Sequence, residues 1–138
     1  MRIMAIDYGD AHTGIAISDP TGLLAGYTTV INSRRAETVV QQIAALAEEH
    51  GVEELVLGHP VNMDGTLGTR SEKAKAMKAA LEAALPLPVT LWDERRTTID
   101  AHQILFNSGK NAKQRKKVVD AVAASLILEG YLTFKKSR

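Results

Sequence analysis

The sequence predicts an α/β fold, a mixed five-stranded sheet flanked by helices. Five short apolar runs have strand composition, and three other stretches repeat apolar residues at helical spacing. The first three strand-like runs follow one another through short links, which forces antiparallel pairing, whereas the last two alternate with helices, which implies parallel pairing through right-handed crossovers.

Arg2–Asp7 (RIMAID) reads as a buried strand, Gly14–Ser18 as a second and Leu24–Ile31 as a third. Asp19-Pro20-Thr21-Gly22 between the last two is a turn, with proline fixing φ and glycine closing it. Together these form a three-strand antiparallel meander. Val39, Val40, Ile43, Leu46 and Ala47 then recur at helical spacing from about Arg35 to Glu49, with His50-Gly51 as the C-terminal cap. Glu54–Gly58 is a buried strand. Ala74, Met77, Leu81 and Leu85 form the stripe of a second helix, which ends before Pro86 and Pro88. Val89–Trp92 is the fifth strand. Thr97-Thr98-Ile99-Asp100 opens a short helix through about Phe106, and a last helix runs from about Lys113 to Phe134.

A chain of 138 residues fits one domain, residues 1–138, and buries roughly 68% of its unfolded surface. Hydrophobic residues at 45% and charged residues at 24% are the proportions of a water-soluble globular protein. The absence of cysteine excludes disulfides, thiolate metal sites and cysteine nucleophiles. The opening MRIMAIDYGD has too short an apolar stretch for a signal sequence or a membrane span, so a cytoplasmic protein is expected.

The net charge of +1 conceals an asymmetry. Residues 1–93 carry 7 Lys/Arg against 12 Asp/Glu, whereas residues 94–138 carry 10 against 4. The basic excess gathers in Lys110, Lys113, Arg115, Lys116 and Lys117, and at the tail in Lys135, Lys136 and Arg138. Such clustering suits a polyanionic substrate.

Three carboxylates interrupt apolar runs: Asp7 after Met1–Ile6, Glu94 after Val89–Trp92, and Asp120 within Val118–Leu128. A lone buried carboxylate costs several kcal/mol or more to keep charged unless it is paired or metal-bound. Three of them, each near the end of a core element, suggest a shared cation. As hard oxygen donors they suit Mg²⁺ or Mn²⁺, one or two ions, rather than zinc. Asp93 should point away from Glu94 in an extended segment, and the longer Glu94 is the preferred ligand. On the last helix Asp120 shares a face with Ala123, Ala124 and Ile127, small residues that let the helix approach the sheet. Asn62, in the loop His59–Gly65 after a strand end, and Arg95, beside Glu94, join the basic segment as candidate nucleic-acid contacts.

His12, His50, His59 and His102 lack the spacing of a zinc site; His12 and His59 are expected in loops facing substrate. No Gly-x-Ser-x-Gly, Gly-x-Gly-x-x-Gly or Walker A sequence occurs.

The run Ile6-Asp7-Tyr8-Gly9…Gly14-Ile15-Ala16-Ile17-Ser18-Asp19 resembles the opening of the YqgF family, Holliday-junction-resolvase-like pre-16S rRNA nucleases. Gly58–Thr66, Trp92–Thr98 and Lys116–Ala124 resemble three further family stretches in the same order, covering nearly the whole chain. The resemblance implies a ribonuclease-H-like fold, with the catalytic carboxylates falling on Asp7, Glu94 and Asp120. It also implies a metal-dependent nuclease that processes the 5′ end of pre-16S rRNA, or alternatively a resolvase of branched DNA. A monomer or weak homodimer acting on nucleic acid, with no membrane, is the expected assembly. His12 departs from the family pattern, where Lys or Arg is usual.

Two other classes compete. Asp7-x-Gly9-x-x-x-x-Gly14 also resembles the phosphate loop of actin-like ATPases, which need a second lobe that this length does not provide. A non-catalytic nucleic-acid-binding factor would keep the basic segment but have no need of three carboxylates.

Overall fold

The computed structural model describes residues 2–20, 25–59, 68–93 and 112–136, with the side chains of Ala25, Thr69, Arg70, residues 112–120 and Lys136 outside that description. Five strands, β1 (Arg2–Asp7), β2 (His12–Ser18), β3 (Ala25–Asn32), β4 (Val52–His59) and β5 (Val89–Asp93), form one sheet in the order β3-β2-β1-β4-β5. β1 pairs antiparallel with β2, and β2 with β3; β4 is parallel to both β1 and β5. The expected meander and parallel pair are both present. α1 (Ala36–His50) and α2 (Thr69–Ala84) cover one face, and α3 (Ala112–Lys136) covers the other. The expected helix at 97–106 lies outside the described residues.

β1 is central, so both of its faces are buried and its apolar run is continuous rather than alternating. Met4 and Ile6 join Ile15, Ile17, Leu55 and Leu57 beneath Val39, Ile43, Met77 and Leu81 of α1 and α2. Ile3 and Ala5 join Ala16, Val56 and Trp92 beneath Ala124, Ile127, Leu128 and Tyr131 of α3. Ala5 and Ala16 of the sheet and Ala124 of the helix lie in this contact, small side chains that bring α3 close to the sheet. Gly130 continues this: a β-carbon there would come within 3.3 Å of the Trp92 ring.

The C-terminal part of α3 is pinned by a buried polar cluster. Glu54, 8% exposed on β4, accepts hydrogen bonds from the Tyr131 hydroxyl and from Lys135 Nζ, the latter at 2.8 Å. Trp92 meets the Tyr131 ring edge-on at 5.7 Å. The rest of α3 packs on β1, β2 and β3, so the helix crosses the sheet from β4 and β5 toward β2.

Helix α1 ends as its sequence requires. Gly51 adopts φ 64°, and its N–H reaches the carbonyls of Ala47 and Glu48. His50 contributes its carbonyl, which accepts from Arg2 Nη1 at 2.9 Å. Two histidines correct the sequence expectation: His12 opens β2 and His59 closes β4, rather than lying in loops. Strand pairing carries past Gly14 and Gly58 because each ring gains a partner at the sheet end. His12 Nδ1 lies 2.6 Å from Asn32 Oδ1, and His59 Nε2 lies 2.5 Å from the buried Ser71 Oγ.

Two predictions follow from this packing. Burial, reinforced by the hydrogen bond to Glu54, raises the Tyr131 phenol above its ordinary value of 10.0. Above that pH the unfolded chain loses the proton while the folded chain keeps it, so stability falls as pH rises through about 10. Urea melts between pH 8 and pH 11 should show this loss in the wild type and a smaller one in Tyr131→Phe. At the link after β1, a β-carbon on Gly9 would collide with the His12 carbonyl oxygen. Gly9→Ala should therefore cost about 1–3 kcal/mol in the same melts, as overpacking does.

Candidate active site

Asp7 is where the alternation of β1 changes from apolar to charged. Ile3 and Ala5 are buried under α3, and Asp7 is the next residue of that parity, half-buried at the strand end. Its partner on β2 is Gly14. On the other side, the β1–β4 register runs through Ile6–Leu57, so the following residue, Gly58, stands level with Asp7. The central carboxylate thus has glycines beside it on both neighbouring strands, with no side chain of either to close over it. Sequence reasoning singled out neither glycine for this role, because only the register brings them to Asp7. Gly9 then turns the chain away.

β4 separates β1 from β5, so the ends of these two strands stand roughly 10 Å apart. Residues of β5 divide as alternation requires. Trp92 lies in the α3 layer, whereas Val89 and Leu91 lie in the α1/α2 layer. Asp93 has the parity of Leu91 and pairs in register with His59, also of the α1/α2 side. Asp93 therefore belongs to the face opposite Asp7, as expected for the residue before Glu94. Glu94 itself lies outside the described residues, as do Arg95, Asn62 and Lys110.

Position 120 lies on α3, one turn before Ala124 and two before Ile127, both buried on the sheet. Eleven residues separate it from Tyr131, about 16 Å of helix. The helix as a whole packs on β1, β2 and β3 as well as β4, on the face to which Asp7 belongs. The helix begins at Ala112, so Lys113, Arg115, Lys116 and Lys117 are helical positions. Lys113, Lys116 and Lys117 stand at positions i−7, i−4 and i−3 from Asp120 along the helix.

Of the three expected ligands only the Asp7 side chain is among the described residues; carboxylate is a hard oxygen donor, of the kind that fits a hard divalent cation. Among the described residues no group of three or more His, Asp or Glu side chains is gathered to hold a metal; two of the three expected ligand side chains lie outside that description. His59 is turned to Ser71 on the other face and is no part of this set. No described helix is long and apolar enough to cross a membrane.

Comparison with known proteins agrees with this architecture. RuvC of T. thermophilus, solved in complex with Holliday junction substrate, superposes with a TM-score of 0.65 at 14% identity, covering 98% of this chain and 96% of that one. A second T. thermophilus RuvC structure gives 0.55 at 16% identity, with 98% and 97% covered. These likenesses establish the ribonuclease-H-like fold. At the sequence level, a Halothermothrix orenii protein named "Putative pre-16S rRNA nuclease" is 44% identical over 135 residues, 98% of this chain and 96% of its own. A Pelotomaculum thermopropionicum protein of the same name is 42% identical over 133 residues, 96% of this chain and 86% of its own. The family model described as "RuvX: Holliday junction resolvase" matches residues 1–134, and the chain belongs to that family.

Proposed function

We propose that this protein is a metal-dependent nuclease that hydrolyses phosphodiester bonds in precursor 16S rRNA, with Asp7, Glu94 and Asp120 as its catalytic carboxylates. The observation that carries this reading is Asp7 itself. It is a carboxylate at the end of the central strand, flanked by Gly14 and Gly58, on the face covered by the helix that bears Asp120. The names of the full-length relatives support nuclease activity and a precursor-rRNA substrate, and work on such a substrate belongs in the cytoplasm.

The strand alternation in β5 supports Glu94 over Asp93, because Asp93 itself belongs to the α1/α2 face, away from Asp7. Asp7, Glu94 and Asp120 would hold Mg²⁺ or Mn²⁺, which when bound supplies neutralising charge for the phosphate and acidifies bound water. The protein contributes the rest. Asp7 cannot swing far, since β1 is hydrogen-bonded on both sides. Lys113, Lys116 and Lys117, within two turns of Asp120 on α3, bind the substrate backbone and bring a phosphate to the carboxylates. Contacts of that type position nucleic acid without reading its sequence.

Asp7→Asn, Glu94→Gln and Asp120→Asn should each abolish Mg²⁺- or Mn²⁺-dependent cleavage while leaving the melting temperature unchanged or raised, because a repulsive charge is removed. A variant that still cuts at the wild-type rate takes that residue out of the mechanism. Neutralising Lys113, Lys116 and Lys117 together should weaken binding and reduce the slope of log affinity against log salt by about 2–3. Cleavage of precursor rRNA and of four-way DNA junctions, assayed side by side with Asp7→Asn as the blank, decides the substrate: the family description favours the junction, the names of the relatives the RNA.

A further inference from the structure

On the face opposite Asp7, a cleft of about 310 Å³ opens between the β1–β2 link and helices α1 and α2. Its floor is apolar, formed by Ala76, Met77 and Ala80 of α2. Its rim carries Arg34 and Lys73, two of only seven cations in the acidic stretch 1–93. Arg34 is exposed and makes no ion pair among the described residues. Lys73 Nζ lies 2.9 Å from Asp10 Oδ1, with both side chains more than half exposed, at 52% and 71%. An exposed pair of that kind is weak, so it leaves the ammonium available to a second anion. The rim keeps a net charge of +1 from Arg34, Lys73 and Asp10. Tyr8 forms the wall nearest the sheet, and it is the residue after Asp7.

An apolar floor beneath a cationic rim, at this volume, matches one nucleotide: a planar base below and a phosphodiester above. It matches no blunt duplex, whose bases are stacked inward and cannot reach Met77. We infer that this cleft receives one unpaired nucleotide of the substrate strand, base against the exposed Ala76 and Ala80 above the buried Met77, and phosphate on Arg34 and Lys73. The strand then passes over the end of β1 from the α3 side to the α1/α2 side. The choice of a nucleic-acid ligand rests on the nuclease reading, and the cleft adds a preference for substrates with an unpaired stretch beside the cut.

The test is fluorescence anisotropy in EDTA, with cleavage silent, comparing a blunt RNA duplex with the same duplex carrying a short single-stranded extension at either end. The wild type should bind the extended duplex about tenfold more tightly, the scale of burying roughly 50–60 Å² of apolar surface. The double variant Arg34→Ala/Lys73→Ala should lose that preference. So should Ala76→Leu, which fills the floor at an exposed helical position without changing charge. Lys75→Ala/Lys78→Ala, an equal charge change elsewhere on α2, should retain it. Circular dichroism melts confirm that each variant is folded. The inference is overturned if the wild type does not discriminate, if either cleft variant keeps the preference, or if the control loses it. An extension preference that maps to the cleft, in a protein that cuts no nucleic acid with Mg²⁺ or Mn²⁺, would refute the nuclease reading and leave the cleft standing.

Discussion

Period-two alternation along β1 is the constraint on which the rest of the structure depends. A central strand with helices on both sides commits each residue to one of two dry layers: Met4 and Ile6 to α1/α2, Ile3 and Ala5 to α3. No slip is tolerated, because a shift by one residue would exchange the two sets. Asp7 inherits this discipline. It belongs to the α3 side by count alone, and the same count puts Tyr8 on the other side, against the α1/α2 core. Two adjacent residues at one strand end thereby serve two different surfaces.

The layers differ in how they treat polarity. The α1/α2 core is built of large aliphatic side chains, Met4, Ile6, Ile15, Ile43, Leu55, Leu57 and Leu81, all fully buried. The α3 core mixes alanines with Trp92 and Tyr131 and admits a charged group, Glu54, satisfied by two donors. Unpaired, that carboxylate would carry a desolvation penalty of several kcal/mol, so the cluster fixes where along β4 the helix comes down as well as holding it there. Glu54 and Asp7 thus lie on the same face of the sheet, the one that α3 covers.

Most of the fold was legible because its signals are local. Short links between apolar runs gave the meander, and alternation of strand with helix gave the parallel pair. Observed boundaries moved outward by a residue or two, as at β2 and β4, where His12 and His59 extend the strands by bonding to Asn32 and Ser71, partners 20 and 12 residues away. Asp7 was legible as a charge that breaks an apolar run. Its glycine flanks were not, since Gly14 and Gly58 come together only through two different strand registers. Glu54 was read as part of a buried strand with nothing to announce Tyr131 and Lys135, 77 and 81 residues later. The Arg34–Lys73 cleft was equally hidden, because nothing in the sequence near either cation refers to the other.

The fastening of α3 near its C-terminus makes the helix a cantilever. Tyr131 and Lys135 grip Glu54, while the residue offered to the proposed chemistry stands eleven positions toward the other end. A tilt of about 10° about that grip carries residue 120 through roughly 3 Å, the width of a coordination bond and more. Packing of Gly130 and Tyr131 against Trp92, which pairs in register with Gly58, thus has a mechanical route to the position of residue 120. On the proposed reading, the placing of residue 120 is set by packing eleven positions farther along the same helix.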